Sequence, residues 1–213
     1  MFKRKAGKLM LLLSAILVMG SGIFYGRDLY LRYQQSKSVR YVKNHLKTSV
    51  KGQRYDTDIQ NFEYDDAWAA YRDAIIKKYG VGTVEIPAVN IALPILEGVS
   101  SEKMAVGVVT VKPNQEAGLR NFALAGHNMT ARGNLLHNLT NVRLGNKIKV
   151  TTSKGQFIYV VTEVHHDWPQ SQGQIVDDDQ GDKIITIYTC DNAYMDRYGH
   201  TSKSIYVRGR LEK

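Results

Sequence analysis

Between residues 82 and 211 the chain is a succession of short β-branched and apolar runs, and this pattern limits the fold more than any other feature. The runs fall near 83–87, 90–95, 106–111, 121–126, 147–152, 156–164, 184–189 and 204–211, separated by Gly, Pro, Asn and Asp. Short strands with regular turn signals imply an all-β barrel or sandwich. One helical interruption is expected at about 132–140, Arg132 to Thr140. Upstream, Trp68, Tyr71, Ile75 and Tyr79 recur on one helical face and Gly80 stops the segment, which predicts a helix packed on the domain.

The first 26 residues have a different character. A basic head, Phe2 to Lys8, precedes a nearly uncharged run from Leu9 to Tyr25, at the short end of a membrane span and longer than most signal-peptide cores. Gly20-Ser-Gly22 is a poor cleavage site, so the run reads as an uncleaved transmembrane anchor. Lysines and arginines flank it on both sides, so the charge-bias rule scarcely discriminates its orientation. A basic stalk follows over residues 27–54, in which Val39, Val42, Leu46 and Val50 recur at helical spacing. The domain proper is expected over 55–213.

A hydrophobic content of 43% is enough for a core. The net charge of +9 has no arginine-rich arm, zinc finger or RNA-binding motif to go with it, which argues against nucleic acid. A basic surface facing an anionic membrane or wall polymer is the simpler account. The chain has one cysteine, which excludes an internal disulfide. Cys190 ends the run Ile184 to Thr189 and is followed by turn-prone Asp191-Asn192. That placement suits a thiol presented at the mouth of a site, although a lone cysteine without further context is more often a small core residue.

Two motifs decide between these. Thr186-Ile-Tyr-Thr-Cys190 is similar to the Thr-Leu-x-Thr-Cys signature of sortases, with Ile for Leu, and Phe122-Ala-Leu-Ala-Gly-His127-Asn resembles the strand that delivers the histidine of that family. Val84 to Ile95, with Glu97-Gly98 after it, resembles the opening strands of class A, housekeeping-type members. The resemblance spans roughly 82–211 and implies an eight-stranded sortase-type barrel. It also implies a membrane-anchored cysteine transpeptidase, single-pass, with its catalytic domain outside the cell and no cofactor. Cys190 would attack a peptide carbonyl to form a thioester, and His127 would protonate the leaving amine and deprotonate the incoming one. The implied partners are a Leu-Pro-any-Thr-Gly sorting signal on a surface protein, cut between Thr and Gly, and an amine of a cell-wall precursor. Ala125, Ile187 and Thr189 are the expected walls of the substrate pocket.

The sequence departs from the family at the last strand. Sortases carry an arginine just before an apolar triplet; here Lys203-Ser204 precedes Ile205-Tyr-Val207. Lys203 is the expected replacement cation, Arg197 in the preceding loop is the reserve, and Arg208 is farther along the strand. If no cation acts, the chain is a degenerate sortase that binds sorting signals; a hydrolytic cysteine protease is the other alternative. Calcium is not expected, because the loop Lys112 to Leu119, which holds acids in calcium-binding relatives, contains only Glu116. Asp177-Asp-Asp179 reads as a solvated turn and His137 as a packing residue. Adjacent His165 and His166 are expected to point to opposite faces, and His200 lies in the loop before the last strand.

Overall fold

The computed structural model describes residues 2–55, 68–129, 134–177, 183–197 and 201–212. Arg132, Gly133, Asp178, Asp179 and His200 lie outside them. The chain forms two units, residues 1–34 and 35–213. The first is the greater part of α1, Phe2–Asn44, along which Ile16, Leu17, Val18 and Met19 are exposed. Among the described residues, no helix is long and apolar enough to cross a membrane.

The second unit contains a closed barrel of eight strands in the order β1-β2-β3-β4-β9-β10-β8-β7. The strands are β1 Gly80–Ile86, β2 Ile91–Leu96, β3 Val108–Thr110, β4 Asn121–Ala125, β7 Lys147–Thr152, β8 Gly155–Pro169, β9 Ile184–Cys190 and β10 Lys203–Leu211. Each overlaps one of the eight runs expected from the sequence. Closure leaves no strand edge in the barrel. A small hairpin, β5 Asn128–Met129 with β6 Asn134–Leu135, and a 3-10 turn His137–Asn141 stand where a helix was expected. The sequence pattern gave no sign of this hairpin or of the short helix α3, Ser101–Met104.

Side-chain alternation sorts the strands into two cores. Val84, Ile86, Ile148, Val150, Tyr159, Ile185, Ile187, Ile205 and Val207 fill the barrel interior. Leu96, Val109, Val111, Ala123 and Ala125 face outward and are covered by Val42 of α1 and by Ile75 and Ile76 of α2, Trp68–Tyr79. Part of the expected stalk is therefore built into the compact unit, which begins at Gln35. Val42 is only 1% exposed, and its burial contributes about 1.5–3 kcal/mol. Gly80 permits this approach: a Cβ there would stand 2.7 Å from the Ile76 carbonyl oxygen and 2.8 Å from a Val42 methyl. Buried Lys103 ties down Gln53, donating to its Oε1 at 2.7 Å and to the Glu97 carbonyl at 2.9 Å. Tyr71, expected on the packed face of α2, is 63% exposed; Ile76 takes its place beside Ile75.

Most neighbouring strands are antiparallel. The exceptions are β2–β3 and β4–β9, and the second of these positions the site. Its register runs from Asn121 opposite Ile184 to Ala125 opposite Tyr188. Parallel pairing brings the carboxyl ends of both strands to the same end of the barrel.

Candidate active site

His127 follows β4 by two residues and Cys190 follows Tyr188 by two, so the β4–β9 register leads both to one level on neighbouring strands. Four hydrogen bonds carry the pairing past the end of the ladder. Gly126 N–H donates to the Tyr188 carbonyl at 3.3 Å, and Thr189 Oγ1 donates to the Gly126 carbonyl at 2.7 Å. Beyond the histidine, Asn128 Nδ2 donates to the Cys190 carbonyl at 3.0 Å, and Asn192 Nδ2 donates to the Asn128 carbonyl at 3.1 Å. His127 is thus bracketed on both sides by bonds to the cysteine strand. Asn128 is itself held by His137, whose Nδ1 lies 3.2 Å from Asn128 Oδ1.

The turn after the cysteine is equally fixed. Asp191 N–H donates to the Lys203 carbonyl at 3.0 Å, and its carboxylate accepts from the N–H groups of Ala193 and Asp167 at 3.1 and 3.2 Å. Across the sheet, Cys190 is opposite Ser204 and Ser204 is opposite Trp168. One row further, Tyr188, Tyr206 and His165 align. A bulge in β8 between these rows takes up His166 and Asp167, with Asp167 at φ 53°. His165 stacks on Tyr206 at 4.6 Å, with Trp168 edge-on to Tyr206 at 5.1 Å, so this histidine is committed to an aromatic cluster. His166 is exposed.

Burial acts oppositely on the two central groups. It raises the Cys190 thiol above its ordinary value, and contacts with Gln170 and its own backbone pull back in part. It lowers the His127 imidazole below its ordinary value. Near neutral pH the two groups are therefore thiol and neutral imidazole, and thiolate with imidazolium is a minority form. Burial, and secondarily the nearby Cys190, pushes Tyr188 up to about 12, so its phenol stays protonated.

The remaining sequence-derived residues divide. Ile187 is wholly buried in the barrel interior, whereas Ala125 belongs to the outer cluster on the opposite side of the sheet. They cannot line one pocket in this conformation: the register pairs Ala125 with Tyr188, so alternation puts Ile187 on the other face. Thr189 is buried and spends its hydroxyl on Gly126. Lys203 heads β10 with its ammonium 5.9 Å from the Tyr194 ring centroid, and Ser204, not Lys203, is opposite Cys190. Arg197 is exposed in the β9–β10 connection. Arg208 is engaged two rows from the cysteine, donating to the Ile175 carbonyl at 3.2 Å and lying 3.6 Å from Glu163. Glu116 is paired with Lys154 at 2.5 Å, and among the described residues no three acidic, histidine or cysteine groups cluster as a metal site would need. Gln170, which had no signal in the sequence, reaches the cysteine: its Nε2 is 4.0 Å from Sγ.

A thiol and an imidazole brought to the same end of a barrel by a parallel strand pair are the two groups that acyl transfer through a thioester requires. Residues 84–212 match the family model for the Sortase domain. The chain belongs to the sortase family. It is similar to Sortase A of Bacillus anthracis, at 28% identity over 186 residues, covering 84% of this chain and 85% of that protein. It is 29% identical over 133 residues to Sortase A of Listeria monocytogenes, covering 62% of this chain and 57% of that one. The solved sortase A structure from Listeria monocytogenes covers 63% of this chain with a TM-score of 0.57 and 29% identity, and 88% of that structure is matched. A Clostridium perfringens Sortase D5 transpeptidase, at 19% identity and a TM-score of 0.57, shares the fold. As a sortase, this chain is a cysteine transpeptidase, and the Sortase A proteins among its relatives suggest class A.

Proposed function

We propose that this sortase is anchored in the cell membrane with its barrel outside, cleaves Leu-Pro-any-Thr-Gly-type signals between Thr and Gly, and joins the released surface protein to an amine of a cell-wall precursor. What supports the reading is the bracketed β4–β9 seam, whose register leads His127 and Cys190 to the same end of the barrel. The nearly uncharged run Leu9 to Tyr25, with exposed Ile16 to Met19, supports the anchor.

In this scheme Cys190 Sγ, as thiolate, adds to the threonine carbonyl carbon. The tetrahedral intermediate collapses as the C–N bond breaks, and His127 gives its proton to the departing glycine amine. The product is a thioester between the signal and Cys190. The acceptor amine then loses a proton to His127 and attacks the thioester carbonyl, and the C–S bond breaks with its electron pair returning to sulfur. Water is the competing nucleophile, and the half-buried sulfur limits its access.

The test is to incubate the chain with a quenched Leu-Pro-any-Thr-Gly peptide, with and without an amine, and to identify products by mass. An amine-joined product that displaces the hydrolytic one is the expected result. Hydrolysis alone would make it a protease, and binding without turnover would make it a degenerate sortase.

A further inference from the structure

Gln170 is the first residue beyond β8, and its backbone extends the β8–β10 ladder by donating N–H to the Ser202 carbonyl at 2.9 Å. From that fixed point the side chain turns over the start of β10. Nε2 donates to the Lys203 carbonyl at 3.3 Å and stands 4.0 Å from Cys190 Sγ, within reach of an N–H···S contact. A primary amide carries two N–H bonds, so one can hold the carbonyl while the other is directed at the sulfur. The carbonyl bond fixes the amide in advance, and a donor fixed in advance costs no reorganisation when charge develops. The Lys203 carbonyl also accepts from Asp191 N–H, so the amide is moored to the same oxygen that holds the turn after Cys190.

We propose that Gln170 is a catalytic residue of this transpeptidase, donating a hydrogen bond from Nε2 to the Cys190 sulfur whenever that sulfur carries negative charge. This rests on the reading of Cys190 as the nucleophile. Sulfur is anionic twice in the cycle: before it adds to the scissile carbonyl, and when the C–S bond of the thioester breaks and its electron pair returns to sulfur. The amide donor favours both states over the neutral thiol. Being uncharged, it acts without the salt screening that would weaken an exposed ammonium.

The chain has a single cysteine, so alkylation by iodoacetamide reports on this thiol alone. The experiment follows alkylation rate against pH for the full-length chain in detergent, as native, Gln170→Ala, Gln170→Glu and Gln170→Arg, with peptide turnover measured on the same samples. Gln170→Ala is expected to move the thiol titration upward and to cut alkylation at pH 7 and kcat by about tenfold, with KM little changed. Gln170→Glu is expected to be slower still, because a carboxylate repels the thiolate, and Gln170→Arg should restore both quantities. A thiol titration in Gln170→Ala that overlays the native one would overturn the proposal, as would a Gln170→Glu protein as reactive as native. Failure of the underlying reading looks different: Cys190→Ala would lose alkylation yet keep peptide cleavage, whatever the Gln170 variants do.

Discussion

The seam between β4 and β9 and the rim formed by the ends of β8 and β10 both meet at Cys190, and they are built by different means. In the seam, a parallel ladder from Asn121–Ile184 to Ala125–Tyr188 is extended by Gly126, Thr189, Asn128 and Asn192, so backbone register, continued by three side-chain bonds, leads His127 and the cysteine to the same end of the barrel. At the rim, Gln170 reaches Sγ only because β8 is long, bulged at His166–Asp167, and joined to β10 through Ser202. Register is a property of patterned strands, whereas the path of a side chain leaving a strand end depends on every turn around it. Under the proposed mechanism, Cys190 and His127 should accordingly tolerate no replacement, and the rim should be graded in its effects.

The largest effect is expected in the seam. Cys190→Ala should lower kcat/KM at least about ten-thousandfold and leave the far-ultraviolet circular dichroism unchanged. Residual turnover near the native rate would remove the seam from the mechanism. His127→Ala should cost about a hundred- to ten-thousandfold in kcat, the range of a positioned acid–base group. His165→Ala and His166→Ala should stay within about threefold, since His165 is spent on Tyr206 and His166 is exposed. Equal losses at 127 and 165 would erase the distinction between seam and rim.

The pH profile sharpens the same comparison. Lowering His127 confines imidazolium to pH values below its depressed titration, and raising Cys190 confines thiolate to values above its elevated one. The thiolate–imidazolium population is therefore a low plateau between the two and falls on either side. Turnover should fall as acid protonates the thiolate, below the His127 value, and as alkali deprotonates the imidazolium, above the Cys190 value. Both limbs should lie outside the interval from 6.5 to 9.0 that the unperturbed groups would give. A narrower bell would mean that burial is not what sets the two titrations.

Asn128→Ala tests the bracket itself. It removes the donor to the Cys190 carbonyl and the contact with His137, while the Asn128 carbonyl can still accept from Asn192. A loss of about tenfold in kcat is expected, with about 1–2 kcal/mol of stability by urea unfolding. The smallest effect is expected at Lys203→Ala: less than about threefold, because its ammonium lies near the Tyr194 ring and its carbonyl, which the substitution keeps, does the bonding at the rim. A collapse of turnover there, or in Arg197→Ala, would return the stabilising role to a cation.

Much of the fold was legible in the sequence because alternation and turn residues record strands directly: all eight expected runs overlap barrel strands. The hairpin Asn128–Leu135 was not, since strands this short carry no periodicity. Cys190 and His127 were singled out by motifs, and the β4–β9 register leads both to the same end of the barrel. The paired pocket walls Ala125 and Ile187 were not, because which face each residue takes depends on the β4–β9 register, a long-range fact. Gln170 left no trace for a similar reason: it is separated from Cys190 by a loop and connects to it only across β10. Lys203 was chosen by its position beside an apolar triplet, and the register, which pairs Ser204 with Cys190, puts Lys203 one residue before that pair.

The most direct measurement is the intact mass of the chain, quenched in acid seconds after mixing with a Leu-Pro-any-Thr-Gly peptide. The expected result is an added mass equal to the fragment ending in threonine, mapped by digestion to Cys190, absent in Cys190→Ala and discharged by added amine. Cleavage of the peptide with no adduct on Cys190, or with an adduct elsewhere in the chain, would contradict the account.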